Sequence, residues 1–280
     1  MQMPLYLGWQ LDPVLIGSLL AVTVAYFAAI GPLRQRIAPR TKFPVARALL
    51  FSFAIVLTYL IEGSPLHDLA ERYLFSAHMV QHLAISYFCA PLFIWAMPDW
   101  VLRPLLLNRR IKPIAKFFSN AVVAALTYTL FLSIWHFPAI YDAGLRNSSL
   151  HHTQHILFMI VALISWWPVM SPLPELPRLG YGMQIIYLFV VSTVLQIPLF
   201  GIITFANEPF YQTYINAPRV LFDTALDDQW MAGILMKVMA MILYAIPIII
   251  IFNRWYNESQ KQTFAAKPNA EGKRLEVRGY

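Results

Sequence analysis

The stretch Leu150-His151-His152-Thr153-Gln154-His155 places three histidines directly before the apolar run at residues 156–161. In a helix, His151 and His155 lie four residues apart, so both imidazoles project from one face about a turn apart. A second pair with the same spacing, His78 and His82, stands at the start of another apolar run. Two such pairs on two membrane helices suggest a metal or haem site, provided that the helices bring them together.

The composition identifies the broad class of protein. Of the 280 residues, 59% are hydrophobic and only 12% are charged, whereas soluble domains average about 25% charged residues. Runs of about 17–25 apolar residues qualify as membrane helices. The chain has seven such runs, at residues 14–30, 45–61, 76–96, 119–137, 151–170, 183–205 and 229–252.

These runs predict an all-α polytopic membrane protein with seven transmembrane helices. We place the seven-helix transmembrane domain at residues 1–256. Residues 257–280 are polar, mixed in charge and poor in large apolar side chains, so we predict a disordered cytoplasmic tail there.

The basic residues are concentrated in alternate connections. Arginine and lysine crowd the segments between the first and second runs, between the third and fourth, and after the seventh. Cytoplasmic loops carry this excess, so we predict that the N-terminus lies outside and the C-terminus in the cytoplasm. The net charge of +7 is thus a topology signal, and the expected partner is the lipid bilayer rather than nucleic acid.

With this orientation, all 7 histidines fall on the outer side of the membrane. His136 follows the fourth run, and Asp228 and Met236 lie in the outer part of the seventh. Because unpaired polar groups are costly in lipid, such side chains usually face the bundle interior. We therefore expect the third, fourth, fifth and seventh helices to surround one polar chamber. For His67 and His152 we favour an interfacial or hydrogen-bonding role.

Metal binding is the use that best fits this chamber. Neutral imidazole suits copper, zinc and iron, and a nearby thioether favours Cu(I). A carboxylate commonly orients a ligating ring, and Asp228 is the candidate for that role. The predicted metal site comprises His78, His82, His151, His155, His136, Asp228 and Met236.

Two alternatives remain open. One imidazole from each pair could ligate a haem iron, which would make the protein a b-type electron carrier. Three imidazoles and an open position could instead support a metal-dependent hydrolase, although we identify no glutamate near the histidines as its general base. An intramembrane ionisable group is a functional hypothesis by default, and for Lys237 the partners Asp228, Glu62 and Asp142 are all left open.

The ordered set of motifs resembles the CtaG-type cytochrome c oxidase assembly factors, first associated with caa-type oxidases of Gram-positive bacteria. The resemblance covers about residues 76–241. Its motifs are His78-Met79-Val80-Gln81-His82, Trp135-His136-Phe137-Pro138 with Tyr141-Asp142, His151 and His155 leading to Trp166-Trp167-Pro168, and Asp228-Gln229 with Gly233 and Met236. Lys237 departs from the family pattern, which usually has an aromatic residue there.

The resemblance implies a non-enzymatic role in maturing haem–copper oxidase. It implies a multi-pass protein of the bacterial cytoplasmic membrane that handles copper, with Cu(I) favoured, on the extracytoplasmic side. The implied partners are haem–copper oxidase subunits or other copper chaperones.

Overall fold

In a computed structural model of the chain, residues 7–266 are described, and their regular secondary structure is helical, without strands. Six helices in this range are long and apolar enough to cross a membrane. They are Pro13–Ile30 (first span), Val45–Gly63 (second), Phe75–Ala96 (third), Ser148–Met170 (fifth), Tyr181–Thr204 (sixth) and Ala225–Thr263 (seventh). The predicted all-α class is confirmed for the described residues, and these six helices are candidate membrane spans.

The fourth span is a bent pair of helices. Lys112–Phe118 and Ala121–Trp135 together are long and apolar enough to cross, but they meet at 77°. The Asn120 side chain accepts hydrogen bonds from the backbone N–H groups of Val122 and Val123, so a new helix begins at this residue. The predicted total of seven crossings is therefore reached only if this bent pair counts as one span.

Two spans contain a π-helical turn, Ile85–Cys89 in the third and Val190–Val194 in the sixth. A π-turn interrupts the regular hydrogen-bond ladder of a helix. Lys237 Nζ donates to the carbonyl oxygens of Thr193 at 2.9 Å and Ser192 at 3.4 Å, which lie in the second turn. The carboxylates considered from the sequence are therefore not its hydrogen-bond partners in the described chain.

The spans form one bundle with a loosely attached first helix. The third span packs along the seventh, the fifth along the fourth and third, and the sixth along the seventh. The first span packs on the second, and only 11% of its apolar window is buried. The His152 Nε2 to Asp12 Oδ2 contact of 3.1 Å ties its N-terminal end to the start of the fifth span.

Short helices cover the end of the bundle where the second span finishes and the third, fifth and seventh begin. We call this the histidine end. Pro65–Arg72 joins the second span to the third, Pro138–Arg146 follows the fourth, and Gln212–Ile215 precedes the seventh. These connections carry side chains of the candidate site.

The last helix is longer than the sequence suggests. It extends over Ala225–Ala266, so residues 257–266 of the predicted disordered tail are helical. The rest of that predicted tail, residues 267–280, lies outside the described residues.

Candidate metal centre

Six imidazoles at the histidine end form one connected group, which we call the histidine cluster. Its members are His67, His78, His82, His136, His151 and His155. The two sequence pairs stack closely, with ring centroids 4.2 Å apart for His78 and His82 and 4.3 Å apart for His151 and His155. His82 and His155 join the pairs at 6.3 Å. The predicted convergence of the third and fifth spans is therefore confirmed.

The inner part of the cluster consists of His78, His82 and His136, all buried. Within the described chain, neither ring nitrogen of His78 has a hydrogen-bond partner, and the same is true of His82 Nδ1 and His136 Nε2. Buried polar atoms normally have partners because burying them unpaired is costly. Several unpaired imidazole nitrogens in one buried group are candidate ligands of a metal ion.

The partner of His136 favours metal binding through Nε2. His136 Nδ1 lies 2.7 Å from the Leu132 carbonyl oxygen, which selects the tautomer with the proton on Nδ1 and leaves the Nε2 lone pair available. His155 Nδ1 lies 2.5 Å from Glu62 Oε2 in an ion-pair contact, and neither of its ring nitrogens has a hydrogen-bond partner in the described chain. Metal-ligating histidines commonly have this arrangement, with the second nitrogen held by a carbonyl or carboxylate.

The outer part of the cluster adds a carboxylate. His67, Glu71 and His151 each offer one ligand atom, and these atoms all lie within 4.8 Å of one another. Glu71 Oε1 contacts Nε2 of His151 and lies 3.0 Å from Nε2 of His67. Both are ion-pair contacts whose angles fall outside those of a hydrogen bond. Burial raises the pKa of the Glu71 carboxyl, but the contacts with the two imidazoles outweigh it and hold the pKa well below its usual range.

Gln81 orients the outer ring of His67. Its amide Nε2 donates to the Ile61 carbonyl oxygen at 2.7 Å and lies 3.3 Å from His67 Nδ1. The amide therefore connects the third span, the end of the second span and the Pro65–Arg72 helix. An orienting residue is thus present, but it is not the one predicted.

Asp228 has a different role from the predicted one. Its Oδ2 accepts a hydrogen bond from the backbone N–H of Phe75 at 2.7 Å, and its Oδ1 accepts one from Ser76 at 3.1 Å. These N–H groups open the third span and would otherwise lack partners. Asp228 therefore caps the helix that carries His78 and His82 and orients no imidazole directly.

Met236 lies beside the inner rings. Together with His82 and His136 it lines a cavity of about 20 Å³. This volume accommodates about one water-sized atom, which is sufficient for an ion and far too small for a porphyrin. A thioether at this position fits the predicted preference for Cu(I).

His67 has the predicted hydrogen-bonding role through the Gln81 amide, but it also contacts Glu71 and belongs to the cluster. His152 agrees with its predicted hydrogen-bonding role, since its ring nitrogens contact Ser148 and Asp12 instead of the cluster. From the sequence we identify no glutamate near the histidines as a general base, yet two glutamates lie beside them. Glu62 contacts His155 and Glu71 contacts His151.

The sequence positions of both glutamates indicate that they lie near the histidines. Glu62 directly follows the second apolar run, at the depth of the histidines, and Glu71 stands four residues after His67. An i,i+4 spacing brings two side chains together on one helix face. Reading carboxylates as well as imidazoles at that depth would have found both residues.

A pair of tyrosines holds the short helices around the cluster. Tyr214 donates to the Ala70 carbonyl oxygen at 2.7 Å, and its hydroxyl oxygen lies 2.7 Å from that of Tyr141. Burial raises the pKa of the Tyr141 hydroxyl, and the neighbouring Tyr214 raises it further. Tyr141 therefore stays neutral beside His78, whose ring centroid is 5.2 Å away.

The fold and site together define a polytopic helical membrane protein with a candidate metal centre at one end of its bundle. The chain belongs to the family of cytochrome c oxidase caa3 assembly factors (Caa3_CtaG), whose family model matches residues 24–258. The family predicted by resemblance is confirmed.

Two curated mycobacterial proteins are similar to the chain. They are the uncharacterized protein Mb0105 of Mycobacterium bovis and the uncharacterized protein MT0111 of Mycobacterium tuberculosis, each 20% identical over 271 residues. The match covers 90% of this chain but only 40% of each relative, so the chain spans less than half of their length. No solved structure matches the chain.

Proposed function

We propose that this assembly factor binds copper at the histidine end and releases it to a haem–copper oxidase subunit or to another copper chaperone. The observation that carries the proposal is the continuous histidine cluster, with buried imidazole nitrogens that lack hydrogen-bond partners in the described chain. Copper is the cargo of such a protein. The family supplies the destination, because its members are cytochrome c oxidase assembly factors.

The two parts of the cluster suit two stages of handling. The outer group of His67, Glu71 and His151 combines imidazole with a carboxylate, and two of its members are only half-buried. The inner group of His78, His82 and His136 has only imidazoles, with the Met236 thioether alongside. Carboxylates favour harder ions and thioethers favour Cu(I). Copper would therefore enter at the outer group and rest at the inner one.

The orientation completes the proposal. We place the histidine end on the extracytoplasmic face of a bacterial cytoplasmic membrane, as the distribution of basic residues predicts. In that arrangement copper is bound and released without crossing the membrane. No chemical step is required of the protein, so we propose a non-enzymatic role.

Copper titration of the purified protein tests the proposal. In detergent micelles, competition with a Cu(I) chelator should show about one tightly bound copper per chain. The double substitution His78→Ala and His82→Ala should abolish that binding, because it removes two inner ligands. His152→Ala is the matched control on the fifth span, since its ring contacts Ser148 and Asp12 instead of the cluster. A folded double variant that keeps full copper binding would contradict the proposal.

A deletion strain tests the destination of the copper. Cells that lack the protein should assemble oxidase with reduced activity and reduced copper content. Wild-type protein and His152→Ala should restore both quantities, whereas the inner-group double variant should restore neither. Normal oxidase copper in the deletion strain would exclude a delivery role.

A hydrolase is the second candidate, and the two glutamates favour it. Glu62 and Glu71 lie beside imidazoles that could bind an ion, and a carboxylate near a metal-bound water can act as a general base. Metal-loaded protein should then hydrolyse ester or peptide substrates, and Glu62→Gln should stop that hydrolysis.

The haem alternative has less support from the geometry, because the inner cavity is too small for a porphyrin. A Soret band in the purified protein would support haem binding instead.

A further inference from the structure

A large apolar cavity lies beside the histidine cluster, on the side of the loosely attached first span. Its volume is about 630 Å³. It is a partly open cavity lined by the first, second, third and fifth spans and by the helices Asp99–Leu106 and Lys112–Phe118. Glu62 and His155 line it at the histidine end, and Phe118 and Trp167 line it towards the opposite end.

The cavity has the length and chemistry of a hydrocarbon site. His155 and Trp167 are separated along the fifth span by roughly 18 Å, at 1.5 Å per residue. Between them the wall is formed mainly by leucine, isoleucine, methionine and phenylalanine side chains. An apolar, partly open cavity does not retain ordered water. A hydrocarbon chain is the guest that this shape and lining accept.

The histidine end of the cavity selects the head group of that guest. Glu62 is only 6% exposed, and its Oε1 has no hydrogen-bond partner in the described chain. Its other oxygen faces His155 Nδ1 at 2.5 Å. A buried carboxylate oxygen requires a donor, so a hydroxyl head fits. A phosphate or carboxylate head would meet like charge, and an ester offers only acceptors.

We propose that this cavity binds a neutral amphiphile with one hydrocarbon chain, whose hydroxyl head donates to Glu62 and whose tail extends to Trp167. Hydroquinones with an isoprenoid chain and long-chain alcohols belong to this chemical class. The bound head would lie against the Glu62–His155 contact and therefore next to the histidine cluster. The proposal does not depend on copper, because the cavity wall and its acceptor are side chains of the protein itself.

Fluorescence quenching by brominated probes tests this site in the metal-free protein. Bromine quenches tryptophan at contact, so ω-bromododecanol should quench Trp167 in a saturable manner, and Trp167→Phe should remove that saturable component. Unbrominated hydroquinone with a decyl chain should displace the probe. The corresponding quinone, which has no hydroxyl donor, should displace it far less well. Glu62→Leu should weaken binding about tenfold, as expected for losing one hydrogen bond to a charged group.

Cavity-filling variants keep the test decisive if Glu62→Leu fails to fold. Ile160 lines the cavity, whereas Ile186 is exposed on the sixth span outside it. Ile160→Phe should reduce saturable quenching, and the matched Ile186→Phe should leave it unchanged. Equal quenching by 1-bromododecane or ω-bromododecanoic acid would overturn the proposal, since neither carries the alcohol hydroxyl. Quenching by brominated phosphatidylcholine that excess dodecanol fails to displace would show that ordinary membrane lipid occupies the cavity.

Discussion

At the scale of single residues, the role of each side chain in the site depends on which of its nitrogen or oxygen atoms make no hydrogen bond. His136 commits Nδ1 to a carbonyl oxygen and so keeps Nε2 free, whereas His155 Nδ1 makes an ion-pair contact with Glu62. Gln81 fixes the ring of His67 in the opposite sense, because its amide donates to Nδ1 and the ring proton then lies on Nε2, facing Glu71. Asp228 uses both oxygens on backbone N–H groups and has none left for an imidazole. These commitments separate residues that can bind an ion from those that only support the helices.

Substitution of Asp228 should lower stability without changing copper stoichiometry. Asp228→Ala leaves two buried N–H groups at the start of the third span unpaired, which costs about 1–3 kcal/mol for each group. Thermal unfolding in micelles should show a clear drop in Tm, while chelator competition should still count about one copper. Asp227→Ala is the matched control, because Asp227 makes an exposed contact with Thr224 and should matter less. Loss of copper with an unchanged Tm would instead support the orienting role that we first predicted.

Glu71 should control how fast copper enters more than how tightly it is held. Its carboxylate belongs to the partly buried outer group, where we propose that copper enters, whereas the inner imidazoles and Met236 form the proposed resting site. Stopped-flow mixing should show uptake slowed several-fold in Glu71→Gln, with an equilibrium affinity close to that of wild type. Glu175→Gln makes the same change in the connection between the fifth and sixth spans, next to Arg103. It should leave the uptake rate unaltered, and equal slowing in both variants would contradict the entry role.

At the scale of helices, close packing between the sixth and seventh spans depends on one glycine. A Cβ atom at Gly233 would lie 2.1 Å from Thr204 Oγ1, 3.1 Å from its Cβ and 3.2 Å from its Cα. Rotation of the threonine hydroxyl relieves only the first contact. Membrane helices use small residues in this way to bring their backbones together.

Gly233→Ala should therefore destabilise the bundle by about 1–3 kcal/mol, the usual cost of overpacking. Gly201→Ala is the matched control in the sixth span, because a Cβ atom there would meet nothing within 4 Å. That variant should be neutral or slightly stabilising, since alanine is the better helix former. Circular dichroism during heating measures the Tm of both variants. Equal Tm values for the two variants would show that the spans separate more easily than the structure indicates.

Individual helices could be predicted from the sequence better than the contacts between them. The length of the apolar runs predicted the unbent spans. The spacing of His78 with His82 and of His151 with His155 predicted that each pair lies on one helix face. The bend at Asn120 was missed because capping by one side chain leaves the apolar content of a run unchanged. His67 and Glu71 were missed because they lie on a short connecting helix. Its position over the cluster depends on tertiary contacts such as the Tyr214 hydrogen bond to Ala70.

At the scale of the whole molecule, the bundle has two chemically different ends. The histidine end carries the buried imidazoles and carboxylates, while the opposite end carries Arg34, Arg36 and other basic residues of the connections. The family model covers most of the chain and includes every residue of the histidine cluster. The relatives in mycobacteria are much longer, as the chain covers 40% of their length. The orientation of the two ends determines on which side copper would be exchanged.

Cysteine labelling should show that the histidine end faces away from the cytoplasm. The chain has one cysteine, Cys89, which is buried in the third span, so Cys89→Ser provides a background without thiols. Asn216→Cys adds an exposed thiol at the histidine end, and Asn108→Cys adds one at the opposite, basic end. Because basic loops remain in the cytoplasm, an impermeant maleimide added to spheroplasts should label the first variant at once and the second only after lysis. The reverse pattern would place the histidine cluster at the cytoplasmic face, and copper delivery on the outer side would then be impossible for this fold.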